Sequence, residues 1–518
     1  MKELIFHGPF LRAAEGYPER IIVQDGMYSA TFVRHLDRTC RLANTLKEEL
    51  GIKRDDRYAV LSGNRHHYLE LWHAGLLGGG VINPINIRLN PQEIKYILND
   101  SETQVIFVDP TYAEMIDSIR SETPSLRQVV LIGNADVPHD MHYDELIENA
   151  RPVIPEETEE DDPCILMYTG GTTGLPKGVL IDQRAINLNI YHMVIHYHLD
   201  ETFCYLLFMP MFHVGALLGT LGPAVSGGRV VIIPGFDEKL AMDTIEREHV
   251  TDAGMVPTML ALILNHPEFK PERLSSLRTI GYGAAPMPEG LLRRVLELFP
   301  NLGIFQGYGM TEASGVITHL STADHHKGGK RLRSVGRRMF GVQMIIQDFD
   351  GNTLPPGDVG EVCIKTGSLM RCYLNLPEAT EEAIKDGWYH TGDMGYLDEG
   401  GYLFLVDRAK DMIVTGGENV YSLEVENAIS THTSVAQVAV IGIPHEIWGE
   451  AIHAIVVINS GMSVTDEEIK TYARQTLANY KIPKTVEIRT DPLPLSAAGK
   501  ILKRELRKPY WEDSDRNI

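Results

Sequence analysis

Between residues 168 and 179 the chain reads Tyr168-Thr169-Gly170-Gly171-Thr172-Thr173-Gly174-Leu175-Pro176-Lys177-Gly178-Val179. The glycines let the backbone turn tightly and bring N–H groups against phosphate oxygens, the threonines offer hydroxyls, and Lys177 supplies a positive charge. ATP chemistry is the leading expectation. The segment is not a Walker A loop, which ends in Gly-Lys-Ser/Thr, because Pro176 precedes the lysine and Gly178 follows it. The apolar run Ile165-Leu166-Met167-Tyr168 reads as a strand, so the loop sits at a strand's C-terminal end, where open α/β sheets hold ligands. A flexible linker is the bland alternative, and a Pro-Lys pair between two apolar strands argues against it.

The elements that must position this loop follow an alternating plan. Strands at 58–61, 81–83 and 104–108 alternate with helices at 68–77 and 91–99, the rhythm of βαβ units and a mainly parallel sheet. Strands at 229–233, 252–256, 279–283 and 303–306 predict a second wound layer. After about residue 335, short strands at 342–346, 360–365 and 401–406 without long helices between them predict a small antiparallel β-barrel. Past residue 407 helices and strands alternate again. The expected fold is α/β, with a large N-terminal domain (1–407) of two wound layers plus the small barrel, and a small α+β C-terminal domain (408–518).

A chain of 518 residues is too long for one core, and 43% hydrophobic with 23% charged residues is the ordinary composition of a soluble globular protein. A formal charge of −22 argues against nucleic acid or an anionic membrane as partner, so any anion site must be locally basic. Five scattered cysteines suit no complete disulfide framework and point to a reducing cytosol. No leader-like N-terminus and no long uncharged apolar run appear, so no integral membrane segment is expected and the cytoplasm is the expected location. The oligomeric state is left open, a homodimer included.

Six segments in order resemble the adenylate-forming superfamily, which includes acyl-CoA synthetases, firefly luciferase and the adenylation domains of peptide synthetases. They are residues 168–179, Pro210-Met211-Phe212-His213, Gly283-Ala284-Ala285-Pro286, Tyr308-Gly309-Met310-Thr311-Glu312, the stretch from Thr391-Gly392-Asp393 to Arg408, and Pro494-Leu495-Ser496-Ala497-Ala498-Gly499-Lys500. The resemblance implies an AMP-forming acyl-CoA ligase that takes a small-molecule carboxylic acid, ATP with Mg²⁺, and coenzyme A.

It also implies roles for residues. Thr169, Gly170, Gly171, Thr172, Thr173, Gly174 and Lys177 would grip phosphate, and Gly283, Ala284, Ala285 and Pro286 would leave a slot for adenine. Gln306, Gly307, Tyr308, Gly309 and Met310 would complete the nucleotide site, with the Tyr308 ring on the base, Thr311 on a phosphate oxygen and Glu312 on Mg²⁺. Asp393 would bind the ribose hydroxyls, with Phe404 nearby and Arg408 on the ribose or α-phosphate. Lys500 would bridge the two anions that meet in adenylation, and its local bland reading is one more solvated cation beside Lys503, Arg504 and Arg507. The resemblance makes the C-terminal domain a mobile lid hinged near Lys410, whose second face brings Gly416 and Gly417 to a pantetheine channel.

His213 would border the acyl carboxylate, or else is a core histidine. His192, His196 and His198 invite a zinc reading that the missing His-Glu-x-x-His pattern disfavours. Two positions depart from the superfamily: Gly170 stands where serine is common, and Asp407 where glycine is, beside Arg408 whose position it would tune. Tyr191, His213, Val214, Gly281, Tyr282, Gln306, Gly307 and Ser314 are the pocket residues expected, a mixture that admits a ring or a chain with some polarity and leaves the acid unread. A ligase that loads a carrier protein, an oxidative luciferase and a non-catalytic nucleotide-binding homologue are the alternatives.

Overall fold

Runs such as Tyr58-Ala59-Val60-Leu61 and Val105-Ile106-Phe107-Val108 are buried on both faces, which suits strands covered by helices on either side. The computed structural model describes residues 3–169, 175–283, 287–408, 411–415, 418–445, 447–459, 461–495 and 501–511. The chain divides into two units, residues 1–343 with 365–387 and residues 344–364 with 388–518.

In the first unit, Arg57–Leu61 lies parallel between Val81–Pro84 and Val105–Val108, and Gln128–Leu131 extends the row. Helices Pro91–Asp100 and Pro110–Arg120 begin where the sequence caps them: Asn90 forms a capping box with Glu93, and Asp109 accepts the Thr111 N–H. The helix expected at 68–77 spans His66–Ala74 and passes into a wider turn, Gly75–Gly79, where Gly78 takes φ of 94°. Only glycine adopts that conformation readily. Pro163–Thr169 adds parallel to Val81–Pro84, and Lys177–Asp182 returns antiparallel in an eight-stranded sheet.

The second layer is a nine-stranded sheet centred on the parallel set Arg229–Ile232, Cys204–Leu207, Asp252–Gly254, Thr279–Tyr282 and Gly303–Met310. Leu206, Ile280 and Ile304 pack in one core with Ala241, Ile245, Leu260 and Val295 from its covering helices. The strand expected to stop at 306 continues to Met310, because Gly315–Leu320 turns back and pairs along its tail.

In the second unit a short antiparallel sheet joins Gly360–Lys365, Trp388–Leu397 and Leu403–Arg408. The last sheet pairs Gly449–Ile458 with Val435–His445, Ile413–Thr415 and Thr485–Arg489. Successive residues alternate between two cores: Val440, Ile452 and Val456 pack with Val425, Ile429 and Ile469, while Ala439, Ile441 and Ile455 pack with Leu506. Among the described residues no helix is long and apolar enough to cross a membrane. The architecture is the α/β plan predicted.

Candidate active site

The phosphate-loop segment closes a hairpin. Tyr168 pairs with Gly178 and Thr169 with Lys177 across antiparallel strands, and the Thr169 hydroxyl donates to the Lys177 carbonyl at 3.5 Å. Gly170, Gly171, Thr172, Thr173 and Gly174 lie outside the described residues. Tyr168 donates its phenol to Asp100 at 2.6 Å, and burial with that bond holds its pKa above the usual phenol value. It is a strand anchor.

Lys177 has its ammonium 5.0 Å from the centre of the Tyr373 ring and meets no carboxylate among the described residues. Tyr373 stands in the two-residue strand Cys372–Tyr373, where its backbone pairs with Val179 of the returning strand. Its hydroxyl donates to Glu312 Oε1 at 3.0 Å. A cation and a carboxylate are thus held on the face and the edge of one ring, each by a neutral group. Sequence reasoning singled out Lys177 and Glu312 and missed the tyrosine between them.

Glu312 sits in the short turn Thr311–Ala313, between Gly303–Met310 and Gly315–Leu320. The Met370 N–H donates to its carbonyl at 2.7 Å. The hairpin is tight: a Cβ built on Gly309 would lie 2.0 Å from the Gly315 carbonyl. Tyr308, Gly309 and Met310 lie on the strand itself rather than beyond it, so their side chains alternate between its faces.

Gly283 approaches the neighbouring strand closely, since a Cβ there would lie 2.7 Å from the Gly307 carbonyl. Ala284, Ala285 and Pro286 lie outside the described residues. Gln306 is buried, 3.3 Å from the Tyr282 hydroxyl, which is 2.8 Å from His325 Nε2. His325 Nδ1 donates to the Ser321 carbonyl at 2.8 Å, and burial keeps the ring neutral. Its Nε2 therefore accepts the Tyr282 proton at the shorter distance, and Gln306 Oε1 stands as a second acceptor for the same hydroxyl. Ser314 is buried in a left-handed turn (φ of 59°) and its hydroxyl finds no partner among the described residues.

His213 is half-buried, and its Nδ1 accepts the Gly215 N–H at 3.0 Å to cap the turn Val214–Ala216. The neutral imidazole then carries its proton on Nε2. Tyr191, an expected pocket residue, instead donates its hydroxyl to the Glu3 carbonyl at 3.1 Å. His192 is buried, which lowers it to about 4, and His196 Nε2 accepts the Phe340 N–H at 3.0 Å. These histidines are not among the groups of three with metal-ligand spacing in the described residues.

In the second unit, Asp393 pairs across the sheet with Arg408, and Tyr396 stacks on Phe404 with ring centres 4.9 Å apart. The Thr391 hydroxyl donates to Val362 O at 2.8 Å and accepts the Asp393 N–H at 3.1 Å, while Gly392 N–H meets Glu361 Oε1 at 2.9 Å. The side chain of Arg408, and Lys410, Gly416, Gly417 and Lys500, lie outside what the structure describes.

Asp407 is buried and accepts the Ser422 N–H at the start of helix Ser422–Ser430. This unusual carboxylate therefore serves a helix terminus. The strand pair Leu495↔Ile501 and the bond from Leu502 N–H to Pro494 O, 2.9 Å, close the chain on either side of 496–500. Lys503 donates to Ser422 Oγ at 2.5 Å and pairs with Glu426 at 2.7 Å, and Arg507 pairs with Asp411 at 2.9 Å. Neither is the solvated cation of the bland reading.

Residues 10–374 match the AMP-binding enzyme family, and residues 424–500 match the AMP-binding enzyme C-terminal domain. The chain is 36% identical over 501 residues to a feruloyl-CoA synthase of Amycolatopsis sp, covering 96% of this chain and 98% of that protein. It is 35% identical over 483 residues to the fatty acid–[acyl-carrier-protein] ligase ScoC of Streptomyces coeruleorubidus, covering 92% and 91%. The solved structure of ATP-bound MatB from Rhodopseudomonas palustris aligns with a TM-score of 0.88 at 26% identity over 100% of both chains.

Proposed function

The chain belongs to the AMP-binding enzyme family, and from that premise we propose that it is an acyl-CoA synthetase acting in two steps. A carboxylate oxygen attacks the α-phosphorus of ATP and the bond to pyrophosphate breaks, leaving an acyl-adenylate. The sulfur of coenzyme A then adds to the acyl carbon, and AMP leaves.

The observation that carries this reading is the pair Lys177 and Glu312 on Tyr373. A cation and a carboxylate that do not neutralise each other are ready for a polyphosphate and its counter-ion. Glu312 keeps one carboxylate oxygen beyond the one that Tyr373 holds, a hard donor of the kind Mg²⁺ takes, so the site fits that ion, which would supply charge neutralisation on the phosphates. Thr169 and the residues after it grip the pyrophosphate side, Tyr308 and the strand around Gly283 take the base, and Asp393 with Arg408 takes the ribose. Lys500 bridges carboxylate and α-phosphate in the first step. Residues 408–518 then turn near Lys410 and bring Gly416 and Gly417 forward, which admits the thiol. His213 borders the acyl carboxylate, with Nε2–H as its donor.

The test is pyrophosphate release and thioester formation across aromatic, cyclic and linear acids, with wild type and Lys500→Ala. Thioester formation with no acid tried would overturn the reading if adenylate accumulates instead. A second acceptor, the pantetheine of a carrier protein, is favoured by the likeness to an acyl-carrier-protein ligase. Competition between coenzyme A and a pantetheinylated carrier decides between them.

A further inference from the structure

Behind the turn that precedes Asp393, three side chains of different donor type converge. The ligating atoms of Glu361, Cys363 and His390 all lie within 4.8 Å of one another. His390 Nδ1 faces Glu361 Oε2 at 2.9 Å and Cys363 Sγ at 3.5 Å, and Cys363 Sγ faces Gln347 Oε1 at 3.3 Å. For metal bonds of about 2.0–2.3 Å, the edges of a tetrahedron are roughly 3.3–3.8 Å, so the two edges at His390, 2.9 and 3.5 Å, already lie within a few tenths of an ångström of that range, and the third is bounded by the 4.8 Å limit.

We propose that Glu361, Cys363 and His390, with Gln347 Oε1 or a water as the fourth donor, bind a zinc-class divalent cation. Sulfur, imidazole nitrogen and carboxylate oxygen together are the donor set that zinc takes, and they exclude Mg²⁺ as the natural occupant. Glu361 and Cys363 lie on one strand and His390 on the strand paired with it, in register opposite Cys363, so the donors are already ordered. Cys363 is fully buried, while Glu361 and His390 are partly exposed and leave an approach. On binding, the thiol releases its proton to solvent, Nδ1 of His390 ligates with its hydrogen on Nε2, and Glu361 gives up its bond to the imidazole for one to the ion.

The site has a structural consequence. The other oxygen of Glu361 accepts the Gly392 N–H at 2.9 Å, so an ion here would fix the carboxylate that holds the turn before Asp393. The competing reading is a hydrogen-bonded trio, with the imidazole donating to Glu361 and the thiol to Gln347.

Cobalt(II) separates the two. Tag-free, chelator-treated full-length protein is titrated with Co²⁺. The expected result is one equivalent bound with a sulfur-to-cobalt charge-transfer band and tetrahedral visible bands, displaced by Zn²⁺, and a melting temperature raised by Zn²⁺. Cys363→Ser and His390→Gln lose the band, and Cys372→Ser keeps it. Circular dichroism checks that each variant is folded, and the partly exposed His390 provides the second arm if Cys363→Ser is not. No band in wild type, or a band that survives both variants, overturns the proposal.

Discussion

The corner around Tyr373 and the corner around Lys503 each gather a cation, a carboxylate and a hydroxyl, with opposite arrangements. In the first, Lys177 lies over a ring and Glu312 accepts a phenol proton, so both charges remain open to a ligand. In the second, Lys503 is bound by Ser422 and Glu426, and Arg507 by Asp411, so the charges close on each other. Burial pushes the Glu426 pKa up, and Lys503 opposes that shift. A cation ready for substrate is one whose protein neighbours are neutral. A cation that fixes the chain is one already paired with a carboxylate.

The sharpest break in that comparison is expected at Lys500, which lies outside the described residues and which the proposed reaction makes a cation for substrate. Lys500→Ala should slow adenylation roughly 10²–10³-fold, the usual loss for a group that meets developing charge, with the urea midpoint unchanged. Adenylation at the wild-type rate would remove Lys500 from the first step. Next, Lys503→Met should cost about 3 kcal/mol of stability, because it leaves Glu426 buried without its cation. The double variant Lys503→Met/Glu426→Leu should recover most of that in urea unfolding; if the single change is silent, the two corners do not differ as described.

Tyr373→Phe keeps the ring beneath Lys177 and removes only the bond to Glu312. Losing about 1 kcal/mol should raise the KM for Mg·ATP about fivefold with the midpoint unchanged, and a drop in stability instead would make Tyr373 a packing residue. The smallest effect near neutrality belongs to a third kind of buried polar pair, neutral on both sides. His73 donates to the Thr220 carbonyl at 2.9 Å and lies 2.8 Å from His35, and burial lowers both below the ordinary imidazole value of 6.5. The unfolded imidazoles take up protons that the folded ones refuse, so this stability is full above about pH 6.5 and is lost progressively below it. Urea midpoints at about pH 7.5 and 5 should fall with acid, and a steady midpoint would contradict the account.

What could be read in advance depended on how local the signal was. Thr169, Lys177, Glu312 and Asp393 stand in short motifs, and the wound layers announce themselves by alternating apolar runs. Tyr373 and Lys503 were not legible, because each gets its meaning from a partner far along the chain, 61 residues away for Glu312 and 81 for Ser422. Nothing local separates Lys503 from the basic residues beside it. Strand Trp388–Leu397 was missed because His390-Thr391-Gly392-Asp393 breaks its alternation with polar side chains that bond to neighbouring strands instead of packing. The Asp407 carboxylate pointed to Arg408 in sequence, whose side chain lies outside what the structure describes, and its bond to the Ser422 N–H, 15 residues on, had no local signal.

The close approaches at Gly283 and Gly309 also bear on how such an enzyme changes its substrate over time. A single methyl group at either position would collide with a main-chain carbonyl, at 2.7 Å and 2.0 Å respectively. Both sites are shut to mutation however useful a new side chain there would be. A lineage drifting toward a new acid, or a library built to imitate one, has to explore the positions around these two glycines, with the hairpin itself as inherited and unalterable ground.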